Sequence, residues 1–369
     1  MINESLLKND ERAVYALRAL YKRYGYMPFK MGKFEEYDLY VRNKDFLISD
    51  RIITFNDTNG KLLALKPDVT LSIIKNGEDE VGCKQKVYYN ENVYRVSGST
   101  HQYKEIMQTG LECIGDIDTY DIFEAVSLAA ASLNLISEDF VLDVSHLGVL
   151  SALLDESSED ENFRREAANH IAEKNPHDLA RVCADYGVDA DKAAMLGEFI
   201  GIYGDMASVI ARLEPLCVSP AAAQALGELR MLYALLKGTP YADRIHFDFS
   251  IVNDMNYYNG IVFKGFLDGI CEGVLAGGQY DKLMRKMGRK SGAVGFALYL
   301  DLLEDLQDTS SEFDVDVLLL YDENTPLSAL VDRMNALTAD GKLVTAQRGV
   351  PLALRYREVC DMREGINND

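Results

Sequence analysis

The sequence predicts an α+β protein in which an antiparallel sheet is flanked by helices and interrupted by a helical insert. Runs of β-branched and aromatic residues dominate residues 50–146, where Asn59-Gly60 is a hairpin signal. Residues 148–240 are instead rich in alanine and carry apolar residues at helical spacing. Strand-type runs resume near residue 246, and a strand, helix, strand pattern follows residue 313.

These changes in pattern also predict the domain boundaries. We expect a sheet-containing core at residues 1–147 and 241–310, an all-helical insert at residues 148–240, and a short α/β segment at residues 311–369. Turn signals at Asn175-Pro176 and Ser219-Pro220 separate the helices of the insert. The core is therefore discontinuous in sequence.

The first element is an amphipathic helix, because Val14, Leu17 and Tyr21 recur at helical spacing and Gly25 follows as a stop. The other elements expected in the core are strands over residues 52–55, 86–89, 92–95, 140–144, 246–250 and 261–264 and a helix over residues 118–133. In the last segment we expect strands over residues 315–321 and 342–345 and a helix over residues 326–339.

Composition limits the classes of function. The 369 residues carry a net charge of −21, and no long basic run is present, which disfavours binding to nucleic acid. Six scattered cysteines form no CxxC pair, and His170 and His177 lack the spacing of metal ligands, so we expect no metal site. No apolar run is long enough for a membrane helix, and the first residues do not resemble a signal peptide. We therefore expect a cytoplasmic protein.

Two motifs in the first half carry polar groups suited to ligand binding. Lys66-Pro67-Asp68-Val69-Thr70 supplies a carboxylate for a cation and a hydroxyl as second acceptor. Tyr94-Arg95-Val96-Ser97 supplies a cation, and Gln108 and Glu112 follow it downstream. Each has a purely structural alternative: Asp68 or Thr70 could cap a helix, and Glu112 could belong to a buried ion pair.

Three further motifs lie in the second half. Tyr257 and Tyr258 stand within the segment Asn253–Gly260, and they offer ring faces and hydroxyls. Ala276-Gly277-Gly278-Gln279-Tyr280-Asp281 follows, and its glycines would let a ligand approach the backbone closely. The segment Gly292–Leu303 has the pattern of a buried strand that leads into a helix. Taken alone, this last pattern fits any buried strand.

Together and in this order, the five motifs resemble the catalytic core of histidyl-tRNA synthetases, a class II aminoacyl-tRNA synthetase family, over residues 1–305. The resemblance implies a class II synthetase-like antiparallel sheet and a truncated anticodon-binding-like domain at the C-terminus. It also implies which residues bind histidine: Asp68, Thr70, Arg95, Gln108, Glu112, Tyr257, Tyr258, Gly277 and Gly278.

The groups that this family uses for ATP and for the activation step are missing. Ser97 stands where the family has a glutamate, and Asn253 and Leu302 stand where it has arginines. A leucine side chain can neither neutralise a triphosphate nor donate a bidentate hydrogen bond. Each lost charge-assisted contact costs about 1.5–3 kcal/mol, so we expect a chain that binds histidine without adenylating it.

This combination resembles the regulatory subunits of ATP phosphoribosyltransferase. The resemblance implies a non-catalytic chain with no catalytic residues and no cofactor, which forms a homodimer within a hetero-octamer. Its partner would be the short-form catalytic subunit of ATP phosphoribosyltransferase, which it would activate and place under feedback inhibition by histidine in the first step of histidine biosynthesis. No tRNA and no membrane partner is expected.

Two alternatives remain open at this point. An active histidyl-tRNA synthetase would need arginines at positions 253 and 302 and a full C-terminal domain. A different synthetase paralogue, with another partner, would retain ATP-site arginines or carry additional nucleic-acid-binding domains. Formation of histidyl-adenylate tests the first alternative, and a tRNA shift assay tests the second.

Overall fold

The computed structural model describes residues 9–43, 52–77, 82–96, 102–252, 257–305 and 313–363. The chain forms two compact units, residues 1–306 and residues 307–369. The division lies close to residue 311, where the sequence analysis places the start of the C-terminal segment.

Twelve strands belong to the described part of the first unit. They are β1 (Met27–Pro28), β2 (Phe34–Glu36), β3 (Thr54–Asn56), β4 (Leu62–Leu65), β5 (Lys84–Val96), β6 (Tyr103–Gly115), β7 (Phe140–His146), β8 (Tyr203–Asp205), β9 (Ile245–Asp248), β10 (Asn259–Leu267), β11 (Leu275–Gln279) and β12 (Gly292–Tyr299). Nine of them form one sheet in the order β1-β5-β6-β12-β11-β10-β7-β9-β8. All neighbours in this sheet are antiparallel except the pairs β1/β5 and β7/β9. The predicted α+β class with an antiparallel sheet is confirmed.

Strands β2, β4 and β3 form a second, small antiparallel sheet. Its β3–β4 hairpin turns at the predicted Asn59-Gly60. The Asp57 carboxylate accepts hydrogen bonds from the backbone N–H groups of Asn59 and Lys61, both at 2.8 Å. Gly60 has a φ of +80°, a conformation that side chains disfavour.

The helices of the first unit, within the described residues, are α1 (Asn9–Arg23), α2 (Tyr37–Val41), α3 (Thr70–Asn76), α4 (Thr119–Ile136), α5 (Leu147–Ser157), α6 (Glu161–Ala172), α7 (Pro176–Asp185), α8 (Ala190–Phe199), α9 (Met206–Leu213), α10 (Pro220–Leu236) and α11 (Asp281–Lys286). Short 3-10 helices cover Ala242–Arg244 and Leu300–Asp305. The predicted helix at 118–133 begins with Asp118 as its N-cap, whose side chain accepts from the backbone of Tyr120 and Asp121.

One hydrophobic core joins one face of the large sheet to a subset of these helices. Leu111, Phe296, Phe263 and Val144 are in register across five neighbouring strands, with Gly277 of β11 between the two phenylalanines, and are buried on the same face of the sheet. Apolar side chains of α1, α4, α5 and α10 belong to the same cluster. Successive residues of a strand point to opposite sides, and the opposite face of the sheet packs in part on α2, α3 and α11, whose apolar side chains form a second cluster with strand residues such as Val87 and Tyr89.

The predicted insert is helical but not entirely so. Six helices, α5 to α10, run from Leu147 to Leu236, and β8 lies between the fourth and the fifth of them. Strand β8 pairs with β9 and so extends the large sheet, which contradicts the expectation of an all-helical insert. Three extended residues carry too little periodicity to be recognised in the sequence. The boundaries at residues 148 and 240 stay a prediction.

The second unit is a small α/β layer. It contains β13 (Val315–Leu320), α12 (Leu327–Ala339), β14 (Val344–Gln347) and β15 (Tyr356–Asp361). The three strands are parallel in the order β14-β13-β15. Val317 and Leu319 pack with Leu337 of the helix. The strand, helix, strand pattern of the sequence is present, and β15 adds a third strand.

None of the helices in the described part of the chain combines the length and the apolar character that a membrane span requires.

We predict that Leu298→Ala lowers the free energy of unfolding by about 2–5 kcal/mol, because it leaves a cavity in the core of the first unit. Leu298 lies on β12, is fully buried and belongs to the shared cluster. Urea denaturation followed by circular dichroism measures the change. Leu235→Ala is the matched control: Leu235 is 43% exposed on α10, and a change beyond about 0.5 kcal/mol there would contradict this description of the core.

Candidate functional site

Alternate residues of two adjacent strands form the floor of the candidate site. Gln108, Gly110 and Glu112 on β6 are in register with Tyr299, Ala297 and Gly295 on β12. Because side chains alternate along a strand, these six positions share the face opposite the one that packs on α1, α4, α5 and α10. Two strands far apart in sequence thus present one continuous surface.

A cavity of about 470 Å³ lies above this floor. Seven of the nine residues that the sequence analysis assigned to ligand binding line it: Asp68, Thr70, Arg95, Gln108, Glu112, Tyr257 and Tyr258. The other lining residues are Val69, Tyr89, Lys264, Gly273, Ala276, Tyr280, Gly295, Phe296, Ala297 and Tyr299. The motifs therefore converge on one pocket although they span nearly two hundred residues of sequence.

Glu112 is the buried centre of the pocket. Its side chain is almost fully enclosed. The Thr70 hydroxyl donates to Glu112 Oε1 at 2.7 Å, and the Tyr280 hydroxyl donates to Glu112 Oε2 at 2.6 Å. A Cβ atom at Gly295 would lie 1.7 Å from Oε2, so the carboxyl group occupies space that only a glycine leaves open. Gly295 is not among the residues that the sequence predicts to bind a ligand.

Burial raises the pKa of Glu112 to about 8, and the negative charge of Asp68 adds to this effect. The hydrogen bonds from Tyr280 and Thr70 oppose it, because they stabilise the carboxylate. The group is therefore mostly protonated near neutral pH while the pocket is empty. Perturbed carboxyl groups of this kind are concentrated at functional sites, since folding alone does not favour them.

Asp68 and Arg95 stand together at another part of the wall. Asp68 Oδ1 accepts from the backbone N–H of Leu71 at 2.8 Å, which ties the carboxylate to the first turn of α3. Arg95 Nε donates to the carbonyl oxygen of Pro67 at 3.0 Å, so the guanidinium is fixed against the same segment. Burial raises the pKa of Asp68, whereas the positive charge of Arg95 lowers it.

The helix-cap alternative for Asp68 and its role in the pocket are compatible. One carboxylate oxygen serves α3, and the same side chain lines the cavity. The ion-pair alternative for Glu112 finds no support among the described residues, where its hydrogen-bond partners are the hydroxyls of Thr70 and Tyr280.

Gln108 carries an unsatisfied donor. Its side chain is 3% exposed, and its Nε2 atom has no hydrogen-bond acceptor among the described residues. A buried amide donor without a partner costs about 1–3 kcal/mol. Because Gln108 lines the cavity, an acceptor on a ligand would remove this cost.

Aromatic rings enclose the cavity around Glu112. The ring centroids of Tyr257 and Tyr258 are 4.5 Å apart, and those of Tyr257 and Tyr280 are 5.8 Å apart. Burial raises the pKa values of Tyr257 and Tyr280, so both hydroxyls stay protonated and act as hydrogen-bonding groups. The rings keep water from the polar centre and offer faces for a planar ligand group.

Gly277 and Gly278 do not line the cavity. Gly277 is in register with Phe296 and Phe263, on the helix-packed face, where a Cβ would lie 2.4 Å from the Gly295 carbonyl oxygen. Gly278 is in register with Gly295, and a Cβ there would lie 2.9 Å from the Tyr258 ring. The close approach that these glycines permit is thus to neighbouring strands and to Tyr258. Their contact with a ligand stays a prediction.

Of the three positions at which ATP-binding groups are predicted to be missing, the structure describes only Leu302. Ser97 and Asn253 lie outside the described residues. Leu302 is half-buried in the 3-10 helix Leu300–Asp305 and packs against the main hydrophobic core. The helix predicted after β12 is a 3-10 helix within the described residues.

Several lining residues were missed, and a signal for some of them existed. Gly295, Ala297 and Tyr299 alternate along a strand whose burial was expected, so one of them facing the pocket implies the other two. Tyr89 follows from the same rule, since it is in register with Gly110. Tyr280 was noted only as part of a motif. Nothing local in the sequence indicated Lys264.

The arrangement suits a small zwitterion with a polar ring. Asp68 and Thr70 can accept from an ammonium group, and Arg95 with Gln108 can hold a carboxylate. Glu112 and the tyrosines can receive a heteroaromatic ring that both donates and accepts hydrogen bonds. In the described part of the chain no three His, Cys, Asp or Glu side chains are grouped as a metal site would require.

The pKa of Glu112 predicts a pH-dependent stability. Because burial holds this pKa at about 8, above the ordinary value of 4.5, the folded state retains a proton that the unfolded state releases between these values. Protonated Glu112 makes its full contribution to the free energy of unfolding below about pH 4.5, and this contribution is lost as the pH rises to 8. We predict that Glu112→Gln, which cannot ionise, does not lose this contribution. The free energy of unfolding of the variant minus that of the wild type, both without ligand, should therefore be about 3 kcal/mol larger at pH 7 than at pH 4.

Urea denaturation at several pH values measures this effect. Glu198→Gln is the matched control, since Glu198 is exposed on α8. A stability difference between wild type and Glu112→Gln that stays constant from pH 4 to pH 8 would show that Glu112 titrates normally.

Comparison with known proteins agrees with the fold. The family profile described as histidyl-tRNA synthetase matches residues 2–303. An ATP phosphoribosyltransferase regulatory subunit of Oceanobacillus iheyensis is 28% identical over 87% of this chain and 80% of its own length.

Two solved structures share the architecture. A protein of Bacillus halodurans, described as an ATP phosphoribosyltransferase regulatory subunit/histidyl-tRNA synthetase, superposes with a TM-score of 0.78 at 22% identity and covers 96% of this chain and 94% of its own. A chain of the Thermotoga maritima ATP phosphoribosyl transferase complex superposes with a TM-score of 0.62 at 20% identity over 79% of this chain and 97% of its own. Since the profile match extends over most of the sequence, the chain belongs to the histidyl-tRNA synthetase family.

Proposed function

We propose that this chain is a non-catalytic regulatory subunit of ATP phosphoribosyltransferase and that its pocket binds histidine. The observation that carries the proposal is the contrast between two parts of one site. The groups that can bind a histidine zwitterion are assembled around a single cavity, whereas Leu302 places an apolar side chain against the core where the family has an ATP-binding arginine.

Each polar group of histidine has a suitable partner in the pocket. The α-amino group would lie at Asp68 and Thr70, and the α-carboxylate would take the unsatisfied Nε2 donor of Gln108 together with Arg95. The imidazole would lie between the tyrosine rings and hydrogen-bond to Glu112. Because Glu112 retains its proton near neutral pH, it can donate to a neutral imidazole nitrogen.

The relatives support the choice of partner. The curated relatives at 25–28% identity are named ATP phosphoribosyltransferase regulatory subunits, and a structural neighbour is part of an ATP phosphoribosyl transferase complex. We extend this role to the present chain: it would assemble as a homodimer within a hetero-octamer with the short-form catalytic subunit. The complex would be cytoplasmic, and tRNA would not be a ligand.

Regulation then requires that histidine prefer one state of the complex. A ligand shifts an equilibrium only by its difference in affinity for the two states, typically about 1–3 kcal/mol. A pocket that retains binding groups and lacks activation groups would serve this purpose, because histidine is bound and released unchanged.

The family match also favours a second candidate, an active histidyl-tRNA synthetase. This function requires transfer of an adenylyl group to histidine, and Leu302 offers no charge to stabilise the phosphates. Incubation with ATP and histidine separates the candidates. A regulatory subunit forms no histidyl-adenylate, whereas a synthetase forms it and exchanges pyrophosphate.

The regulatory role is tested with the short-form catalytic subunit of the same organism. We expect ATP phosphoribosyltransferase activity to rise when this chain is added and to fall again when histidine is added. Size-exclusion chromatography of the mixture reports assembly. Unchanged activity together with separate elution of the two proteins would contradict the proposal.

The histidine pocket is tested by variants that act on Glu112. We predict that Glu112→Ala weakens histidine binding tenfold or more, because it removes a hydrogen-bond partner from a buried site. Gly295→Ala should also weaken binding, since its Cβ would displace the Glu112 carboxyl group. Isothermal titration calorimetry measures both affinities.

Gly197→Ala is the matched control for the glycine variant, because nothing lies within 4 Å of a Cβ at that position on α8. Circular dichroism confirms that each variant is folded before titration. Wild-type affinity in both Glu112→Ala and Gly295→Ala would remove Glu112 from the binding site.

A further inference from the structure

The pocket extends beyond the groups that a histidine zwitterion uses. Lys264 lies on β10, in register with Ala276 of β11, which is in register with Ala297 of β12. These three residues share the pocket face and line the cavity. Since β6, β12, β11 and β10 are neighbours in the sheet, the backbone of Lys264 is about 14 Å from that of β6.

Small residues connect the two ends of this floor. Ala276 and Ala297 leave the space above them open, and Gly273 makes room for the lysine, because a Cβ at Gly273 would lie 2.2 Å from Lys264 Cε. A cavity of about 470 Å³ falls in the range that holds ligands larger than one amino acid. The cavity is thus long and carries a cation at its far end.

The lysine has no carboxylate partner among the described residues. Its Nζ atom lies over the ring of Phe266, 5.4 Å from the ring centroid. Asp143 is the cross-strand neighbour on β7, but its carboxylate faces His246 Nδ1 at 3.8 Å. A lysine that is partly enclosed in a cavity without an ion pair retains its affinity for anions.

If histidine is the ligand, as proposed above, its charges leave the ammonium group of Lys264 uncompensated. The ammonium of histidine balances Asp68, and its carboxylate balances Arg95. The proton shared between imidazole and Glu112 adds no net charge whichever group holds it. Lys264 then remains as one positive charge inside the occupied pocket.

We propose that Lys264 forms a second subsite of the pocket, which binds a phosphate group. A lysine ammonium is a compact point charge with three donors, which can bind phosphate oxygens, and in the occupied pocket the guanidinium of Arg95 is already paired with the carboxylate of histidine. The same cavity therefore holds two ligand chemistries side by side, a zwitterionic amino acid and a phosphate.

The test titrates phosphate into the full chain in phosphate-free buffer by isothermal titration calorimetry. We expect saturable binding to wild type, at least tenfold weaker binding to Lys264→Gln, and retained binding to Lys264→Arg, which preserves the charge. Lys192→Gln is the control of equal charge change, since Lys192 is exposed on α8. It should bind phosphate as wild type does.

Inorganic phosphate and glycerol 3-phosphate are used as separate probes. Binding that depends on Lys264 supports the subsite with either probe, and the probe that binds more tightly identifies free or esterified phosphate as the source. Absence of saturable binding with both probes, or equal affinity in wild type and Lys264→Gln, would overturn the inference.

Histidine is titrated into the same wild-type sample. A protein that fails to bind histidine yet binds phosphate through Lys264 would refute the proposed amino-acid ligand and leave the phosphate subsite in place. A protein that binds histidine and shows no Lys264-dependent phosphate binding would overturn the phosphate subsite and leave the proposed amino-acid ligand in place.

Discussion

The site depends on the burial of one carboxyl group. Glu112 is enclosed in the first unit, receives hydrogen bonds from Thr70 and Tyr280, and fits only because Gly295 has no side chain. Removing a carboxyl group from water is unfavourable unless its polar atoms find partners. Here the hydroxyls satisfy the oxygens without neutralising the group, and its pKa rises to about 8. Burial of Glu112 is therefore unfavourable in the empty site, and a ligand that hydrogen-bonds to its carboxyl group would reduce this penalty.

A second unfavourable feature lies beside the first. The buried Nε2 atom of Gln108 has no acceptor among the described residues. Gln108 and Glu112 are four residues apart on β6 and share one face of the strand. A ligand that accepts a hydrogen bond from Gln108 Nε2 and pairs with the Glu112 carboxyl group would remove both unfavourable features. Ligand binding would therefore also raise the free energy of unfolding.

The pocket separates recognition from chemistry. Asp68, Thr70 and Arg95 offer charge and hydrogen bonds to a small zwitterion, and these interactions act equally on a ligand that never reacts. Catalysis would need groups that stabilise the charge of a developing transition state, and Leu302 packs into the core instead. The strands below the pocket also form the core with α1, α4, α5 and α10, so the pocket and the core lie on opposite faces of one sheet.

Much of this protein was determined by the sequence itself. Strand alternation, the Asp118 cap and the Asn59-Gly60 hairpin are local, because they depend on neighbours within a few residues. The residues near Glu112 that are predicted to bind a ligand were recognised by their motifs.

Only the tertiary structure decided how these parts meet. The order of strands places β12 between β6 and β11, which sets Gly295 under Glu112 and puts Lys264 on the same floor as Gln108. It also turned Gly277 toward the helices and added β8 to the sheet edge. Contacts between residues more than a hundred positions apart depend on packing and register, which no local pattern of residues encodes.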